Sequence, residues 1–205
     1  TELFPGPVAV RLMDIDPISF REALVNAYSH RDYTEMGRIR VEINDEQISI
    51  TSPGDFMQGI TPNSVLFAEP RSRNTVLADA FKRIGLAEKT GRGVDKIIEP
   101  SLFAGRPVPR YDESTSTYVR IVFDKAPVDD NFVTLIVQNQ VKSNMELSLR
   151  GLMVLYSIRK LKQSSMDDII HDCQLSPAIC EMNVQQLLKM NIIQSVDMDG
   201  KQLYY

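Results

Sequence analysis

The chain changes its hydrophobic rhythm once. Up to Lys125, stretches of strand-like alternation and of helical spacing follow one another, whereas beyond Asp130 the apolar residues recur at helical intervals until a short closing hairpin. Between the two lies Lys125-Ala126-Pro127-Val128-Asp129-Asp130, in which a proline and an acidic pair suit a linker. The expectation is two domains, 1–125 and 126–205, a division that 205 residues can support with separate cores. Antiparallel alternation mixed with helices in the first part argues for an α+β sandwich rather than a doubly wound parallel sheet.

Composition excludes several classes. No apolar run approaches the roughly 18 residues of a membrane-spanning helix, and no basic-then-apolar leader opens the chain, so a membrane protein is not expected and a cytoplasmic one is. The net charge of −4 is shared evenly between the two parts, so neither is a basic domain of the kind that grips nucleic acid through its charge. Two cysteines, Cys173 and Cys180, are too few for a disulfide framework and are wrongly spaced for the usual zinc pairs. They read as ordinary thiols. A start at Thr1 suggests a piece of a longer protein.

In the first part Asp16-Pro17 opens a helix, with an acidic cap before a proline that needs no intrahelical N–H. It runs to about His30 with Phe20, Ala23, Leu24, Ala27 and Tyr28 as its apolar stripe. Arg38 to Ile43 and Gln47 to Thr51 alternate around the turn Asn44-Asp45-Glu46, a hairpin with one buried face. Asn74 is placed to cap a second helix with an apolar face of Val76, Leu77, Ala80, Phe81 and Ile84, stopped by Gly85. Thr90-Gly91-Arg92-Gly93 leads into a third helix near Val94 to Phe103, and Tyr118 to Phe123 forms a last strand.

The first helix carries the most informative polar residues. Glu22, Asn26 and His30 recur at intervals of one turn and so share a stripe, read here as facing away from the sheet. An amide oxygen can ligate a hard cation such as Mg2+, and a neighbouring carboxylate can orient or deprotonate water. The alternative for such a triplet is a solvated polar face. Bare glycine backbone at a helix start, as at Gly91 and Gly93, offers oriented N–H groups to an anion, although two glycines before a helix also serve simply as a turn. Arg92 between them adds positive charge. Arg71 and Arg73 are open to contact with phosphates or DNA or to a place in a solvated loop; His30-Arg31-Asp32 reads as acid–base chemistry or as a helix-end hydrogen-bond network. No phosphate loop of the form G-x4-G-K-[ST] occurs, so a conventional helicase motor is excluded from this chain.

Four strings occur in order: Glu22 to Tyr33, the break Ser52-Pro53-Gly54, Pro70-Arg71-Ser72-Arg73-Asn74, and Thr90-Gly91-Arg92-Gly93-Val94-Asp95-Lys96-Ile97. Over roughly residues 14–124 they resemble the ATPase-like domain of a bacterial and archaeal family of transcriptional regulators. That family is often labelled helicase-related and is distantly similar to the gyrase, chaperone and histidine-kinase (GHKL) ATPases. The resemblance implies a GHKL-like two-layer α/β sandwich with a mostly antiparallel sheet, a winged helix downstream, and a Schlafen-type DNA-binding domain upstream. It also implies roles. Glu22 would activate water, Asn26 would bind Mg2+, and the backbone at Gly91 and Gly93 would meet the phosphates of ATP. His30, Ser52, Gly54, Asp55 and Arg92 would line the nucleotide site.

One box departs from the superfamily. Its Asp-x-Gly-x-Gly is here Ser52-Pro53-Gly54-Asp55-Phe56, so the carboxylate that accepts the adenine amino group is a serine and the last glycine is a phenylalanine. Any ATPase activity is therefore expected to be weak and Mg-dependent, with Asp55 a nearby substitute for the missing carboxylate.

The second part offers helices at Phe132 to Val141, Leu147 to Lys160, Ser165 to Cys173 and Pro177 to Met190, then a hairpin of Ile192 to Val196 and Gln202 to Tyr205. Helix, turn, helix and wing is the winged-helix order. Its reading helix would present Asn183, Gln185 and Gln186, but also Glu181, with Lys189 its one basic residue; Lys201 in the wing lies beside Asp197 and Asp199. DNA reading and a dimerising or docking role both remain open, and a homo-oligomer is expected. The overall expectation is the C-terminal part of a transcriptional regulator with a degenerate nucleotide site. The alternative is a non-enzymatic scaffold with a dimerising winged helix.

Overall fold

The computed structural model describes residues 2–3, 10–11, 13–62, 64–65, 68–69, 71–87, 92–198 and 201–205. It is α+β, with seven helices and three small antiparallel sheets among the described residues. Strands β1 (Glu2–Leu3) and β2 (Val10–Arg11) pair with each other. No described helix is long and apolar enough to cross a membrane. By its internal contacts the chain divides into two units: Leu12–Ser101 with Arg106–Pro127, and β1 and β2 with Leu102–Gly105 and Val128–Tyr205.

In the first of these units Asp16 starts α1 (Pro17–His30), its carboxylate accepting the N–H groups of Ile18 and Ser19 at 2.8 and 3.1 Å. Strands β3 (Arg40–Ile43), β4 (Gln47–Pro53) and β5 (Tyr118–Asp124) form an antiparallel sheet in that order, with β4 in the middle. Its core residues Ile50, Ile121 and Phe123 share one face, because Ile50 pairs with Ile121 and Ile48 with Phe123. Helix α1 packs on β4. The hairpin differs from expectation in that β3 is exposed along its whole length, so only β4 and β5 bury a face.

Helix α2 (Thr75–Arg83) and helix α3 (Gly93–Phe103) complete the set, α2 ending at Gly85 with φ +76°. Two expectations fail at α2. Ala78 is its buried residue and Leu77 and Phe81 are half-buried, Phe81 edge-on to Tyr28, while Val76, Ala80 and Ile84 stand exposed, so only part of the apolar stripe faces in. Asn74 makes no side-chain cap; its amide nitrogen donates to Ser29 O at 3.1 Å and Arg31 O at 2.8 Å, and so satisfies carbonyls at the end of α1.

The other unit contains α4 (Asp130–Ser143), α5 (Leu149–Leu161), β6 (Ser164–Ser165), α6 (Met166–Cys173), α7 (Pro177–Lys189), β7 (Ser195–Met198) and β8 (Lys201–Tyr204). Its sheet has the order β6-β8-β7, and the two-residue β6 has no period that could announce it in sequence. Ser165 closes a capping box with Asp168 at the start of α6. Leu152, Val154, Leu155, Ile158, Ile169, Val184 and Leu187 make the core, and both cysteines are free and buried in it.

Asn183 overturns an expectation. It is 2% exposed, its amide nitrogen donates to Ile179 O at 2.7 Å, and its Oδ1 accepts from the Ser148 hydroxyl at 3.4 Å. Gln186 donates to Glu146 O at 3.0 Å. Of the three amides expected to read bases, Gln185 alone is exposed.

Candidate functional site

The polar stripe of α1 lies on the opposite side from the one its spacing suggests. Glu22, Asn26 and His30 line a cavity of about 690 Å³ walled on the sheet side by Ile50, Ser52, Val119 and Ile121. Glu22 is 2% exposed, although Leu24 and Ala27 are only half-buried. The helix is weakly amphipathic, with Ser19, Glu22 and Ser29 buried alongside Ala23 and Val25, so apolar spacing alone cannot fix which side faces in. One tie that fixes it is the Ser19 hydroxyl, which donates to Lys96 O at 2.9 Å and binds α1 to α3.

That tie brings Gly93, the first residue of α3, against the stripe. A methyl group built on Gly93 would lie 3.3 Å from Glu22 Oε2, and 3.8 and 3.9 Å from the amide oxygen and nitrogen of Asn26. Bare backbone at a helix start therefore faces a carboxylate and an amide one turn apart. Arg21 approaches Glu22 at 3.7 Å from the exposed side. Arg92 is exposed, and Gly91 lies outside the described residues.

Around the rim, backbone geometry dominates. Gly54 has φ +104°, its N–H donates to Thr117 O at 2.9 Å, and a methyl built on it would stand 2.6 Å from Asp32 Cβ. Only glycine accepts that conformation and that approach. The Ser52 hydroxyl donates to Ala27 O at 2.8 Å, joining β4 to α1. Asp55 is exposed on the cavity wall, where its carboxylate accepts the Phe56 N–H at 2.7 Å.

The helix-end cluster is a structural network. Arg73 pairs with Asp32 at 2.7 Å and donates to Asp55 O at 2.8 Å, and Arg31 donates to Asp32 O, Glu35 O and Gly37 O. Hydrogen bonds from Thr34, with Arg73 beside it, hold the Asp32 carboxyl below its ordinary range. Arg71 is exposed and pairs with Glu69 at 3.5 Å, and both residues line the cavity. Burial, then the charge of Arg73, pushes His30 below the ordinary imidazole value, so it stands neutral in the cavity at pH 7.

Sequence reasoning missed the far wall. Tyr111 lines the cavity with its ring edge-to-face against Phe56 at 6.0 Å between centroids, and burial raises its phenol pKa. Tyr111 stands in an irregular stretch with no periodic signal. Ile50, Ser52, Val119 and Ile121, by contrast, could be placed on one face by strand parity once the register was known. Among the described residues no cluster of three or more His, Cys, Asp or Glu side chains is arranged to hold a metal. Besides the Asp55, Glu69, Asp79 and Asp95 that also line the cavity, the buried Glu22 carboxylate and the Asn26 amide oxygen stand together, a pair that suits a hard cation keeping most of its water and sharing phosphate oxygens.

Residues 37–123 match the protein family described as "Putative ATP-dependent DNA helicase recG C-terminal", an ATPase-like family. The match takes in Ser52, Gly54, Asp55 and Gly93 but begins after the helix that carries Glu22 and Asn26. No curated protein matches the sequence. Among solved structures, the chain is similar to the DIP2311 protein of Corynebacterium diphtheriae, with a TM-score of 0.74 and 22% identity. The alignment covers 94% of this chain and 41% of that one, so this chain spans less than half the length of its structural neighbour, and the likeness is one of fold. Residues 37–123 thus carry the likeness to an ATPase-like, helicase-related family, on an α+β fold with a known structural neighbour.

Proposed function

We propose that this chain is the C-terminal part of a transcriptional regulator whose first unit is a GHKL-like sandwich that binds an adenine nucleotide or a related phosphate-bearing ligand together with Mg2+. The observation that carries the reading is the approach of Gly93 to Glu22 and Asn26 across the top of the cavity. There the start of α3 supplies N–H groups and the positive end of a helix dipole to phosphate oxygens. The Asn26 amide oxygen would hold the cation, which when bound neutralises phosphate charge. Glu22, buried beside it, can orient a water molecule and accept its proton. A cavity of about 690 Å³ is within the ordinary range for a ligand of nucleotide size.

Ser52 argues for weak base recognition. Its hydroxyl proton is committed to Ala27 O, leaving only a neutral acceptor where the superfamily has a carboxylate. Turnover is accordingly slow, and occupancy of the site, rather than hydrolysis, is the signal passed on. The second unit is proposed to be a winged helix. A second reading, a scaffold without nucleotide whose winged helix docks protein, is favoured by the same serine and by the burial of Asn183.

Titration calorimetry with ATP, ADP and a non-hydrolysable analogue, with and without Mg2+, separates the two. The first reading expects Mg-dependent heat that Asn26→Ala reduces at least about tenfold in affinity, a loss of about 1.4 kcal/mol. Absence of heat with every adenine nucleotide establishes the scaffold. Phosphate release above background that Glu22→Gln removes would add enzymatic turnover.

A further inference from the structure

The two edges of the β3-β4-β5 sheet are finished differently. Along β5, Arg110 and Val122 exchange backbone hydrogen bonds at 3.0 and 2.9 Å, so a further segment covers part of that edge. Along β3, no described residue pairs with the outer side.

The ladder dictates which groups point outward there. Gly54 N–H donates to Thr117 O, in phase with the β4–β5 register, so the even-numbered residues of β4 bond to β5 and Gln47, Ser49 and Thr51 bond to β3. Asn44 N–H donating to Gln47 O at 3.1 Å agrees. The register of Arg40 with Thr51 and Glu42 with Ser49 then commits those two residues to β4. The N–H and C=O groups of Val41 and Ile43 face outward, and Ile39 is in the same phase. The side chains of Val41 and Ile43 are 39% and 66% exposed.

A bare edge invites pairing, and proteins blunt such edges with proline, lysine, bulges or covering loops. This one has no proline or lysine; its charges are Arg40 and Glu42, of opposite sign and symmetric about Val41. Paired antiparallel with its own copy about a two-fold axis at Val41, the run Ile39-Arg40-Val41-Glu42-Ile43 sets Val41 against Val41 and Ile39 against Ile43. Both are hydrogen-bonded pairs, as the outward phase requires. Arg40 then faces Glu42 at the closer, non-bonded pairs, where opposite charges attract most. The run is self-complementary in hydrogen-bond phase and in charge at once.

We propose that the outer edge of β3 is a homodimer interface, through which two copies of this chain join their sheets into one continuous antiparallel sheet. The interface is short and falls below the roughly 1,200 Å² of a standard stable complex, so association is concentration-dependent. This inference does not depend on whether the cavity takes a nucleotide.

Sedimentation velocity of the 205-residue chain at rising concentration tests it. The wild-type chain is expected to pass from monomer to dimer. Val41→Pro removes an outward N–H that makes no bond to β4, and is expected to leave the melting temperature unchanged while abolishing the dimer. Arg40→Glu and Glu42→Arg each place like charges face to face and weaken association at least about tenfold. Mixed in equal amounts, the doubly acidic edge of one variant meets the doubly basic edge of the other across the axis. The two are expected to form a heterodimer, which no folding defect can mimic. Glu42→Arg also loses the 2.9 Å pair with Arg120, so if it fails to fold, Val41→Pro and Arg40→Glu still decide. A wild-type chain that stays monomeric, a dimer untouched by Val41→Pro, or two folded charge variants that do not associate would each overturn the proposal.

Discussion

Gly54 and His30 are constrained at the cavity by different means, one by backbone conformation and one by burial beside a positive charge. At Gly54 a side chain meets both a positive φ and Asp32 Cβ at 2.6 Å, so Gly54→Ala should cost at least about 2 kcal/mol, or roughly 8–16 °C in the thermal transition of its unit. His30 is held neutral by burial and by Arg73, so its folded pKa lies below its unfolded value. The unfolded chain therefore binds the extra proton first, and the contribution of His30 is whole above about pH 6.5 and is lost as pH falls from there through the lowered folded value. Chemical denaturation of wild type and His30→Asn across that range checks this. The wild type should lose stability on acidification more steeply than the variant, and parallel curves would refute it. The identities of Glu22, Asn26 and His30 were legible in sequence, since turn-spaced polar residues on a helix mark themselves. Their orientation was not, because Ser19 and Lys96 settle it through a contact between residues far apart in the chain.

Among the elements, α7 shows how a correct boundary can carry a wrong surface. Pro177 marks its start, and the helix follows as spacing predicts, yet the amide offered to solvent is Gln185 and the one spent inside is Asn183. The reason is packing: Gly151 on α5 leaves room for the Asn183 side chain, and a methyl built on Gly151 would come within 3.3 Å of Asn183 Oδ1. Asn183→Ala should thus lower stability by about 1–2 kcal/mol by removing the bonds to Ser148 and Ile179 and leaving a void beside Gly151, whereas Gln185→Ala should leave it unchanged. Thermal melts of the two variants compare them directly. Helix α2 teaches the same lesson from the apolar side. Val76 and Ile84 have the spacing of a buried stripe but stand 84% and 68% exposed, and beside Ala78 and the Phe81 ring against Tyr28 the element is tied by Asn74, whose bonds to carbonyls at the end of α1 no local pattern reveals.

At the scale of the molecule, charge and surface bear on whether this chain alone can hold DNA. Its net charge is −4, and the exposed residues of α7 are Pro177, Ala178, Glu181, Met182, Gln185 and Lys189. On β7, Asp197 and Met198 are exposed. Affinity for duplex comes chiefly from counterions released when Lys and Arg neutralise phosphates, each contact adding nearly one unit to the salt slope. A surface with one lysine on its prospective reading helix releases few. The 205-residue chain is therefore expected to bind random duplex more weakly than about 10⁻⁴ M near physiological salt, below the usual non-specific range, with a shallow salt slope. Fluorescence anisotropy of labelled duplex over a salt series measures both quantities. Weak, salt-insensitive binding would leave the exposed Met182 and Glu181 face to protein contacts. Micromolar binding that collapses with added salt would instead mean that basic residues elsewhere on the chain meet the phosphates, and the Lys and Arg whose substitution flattens the slope would locate them.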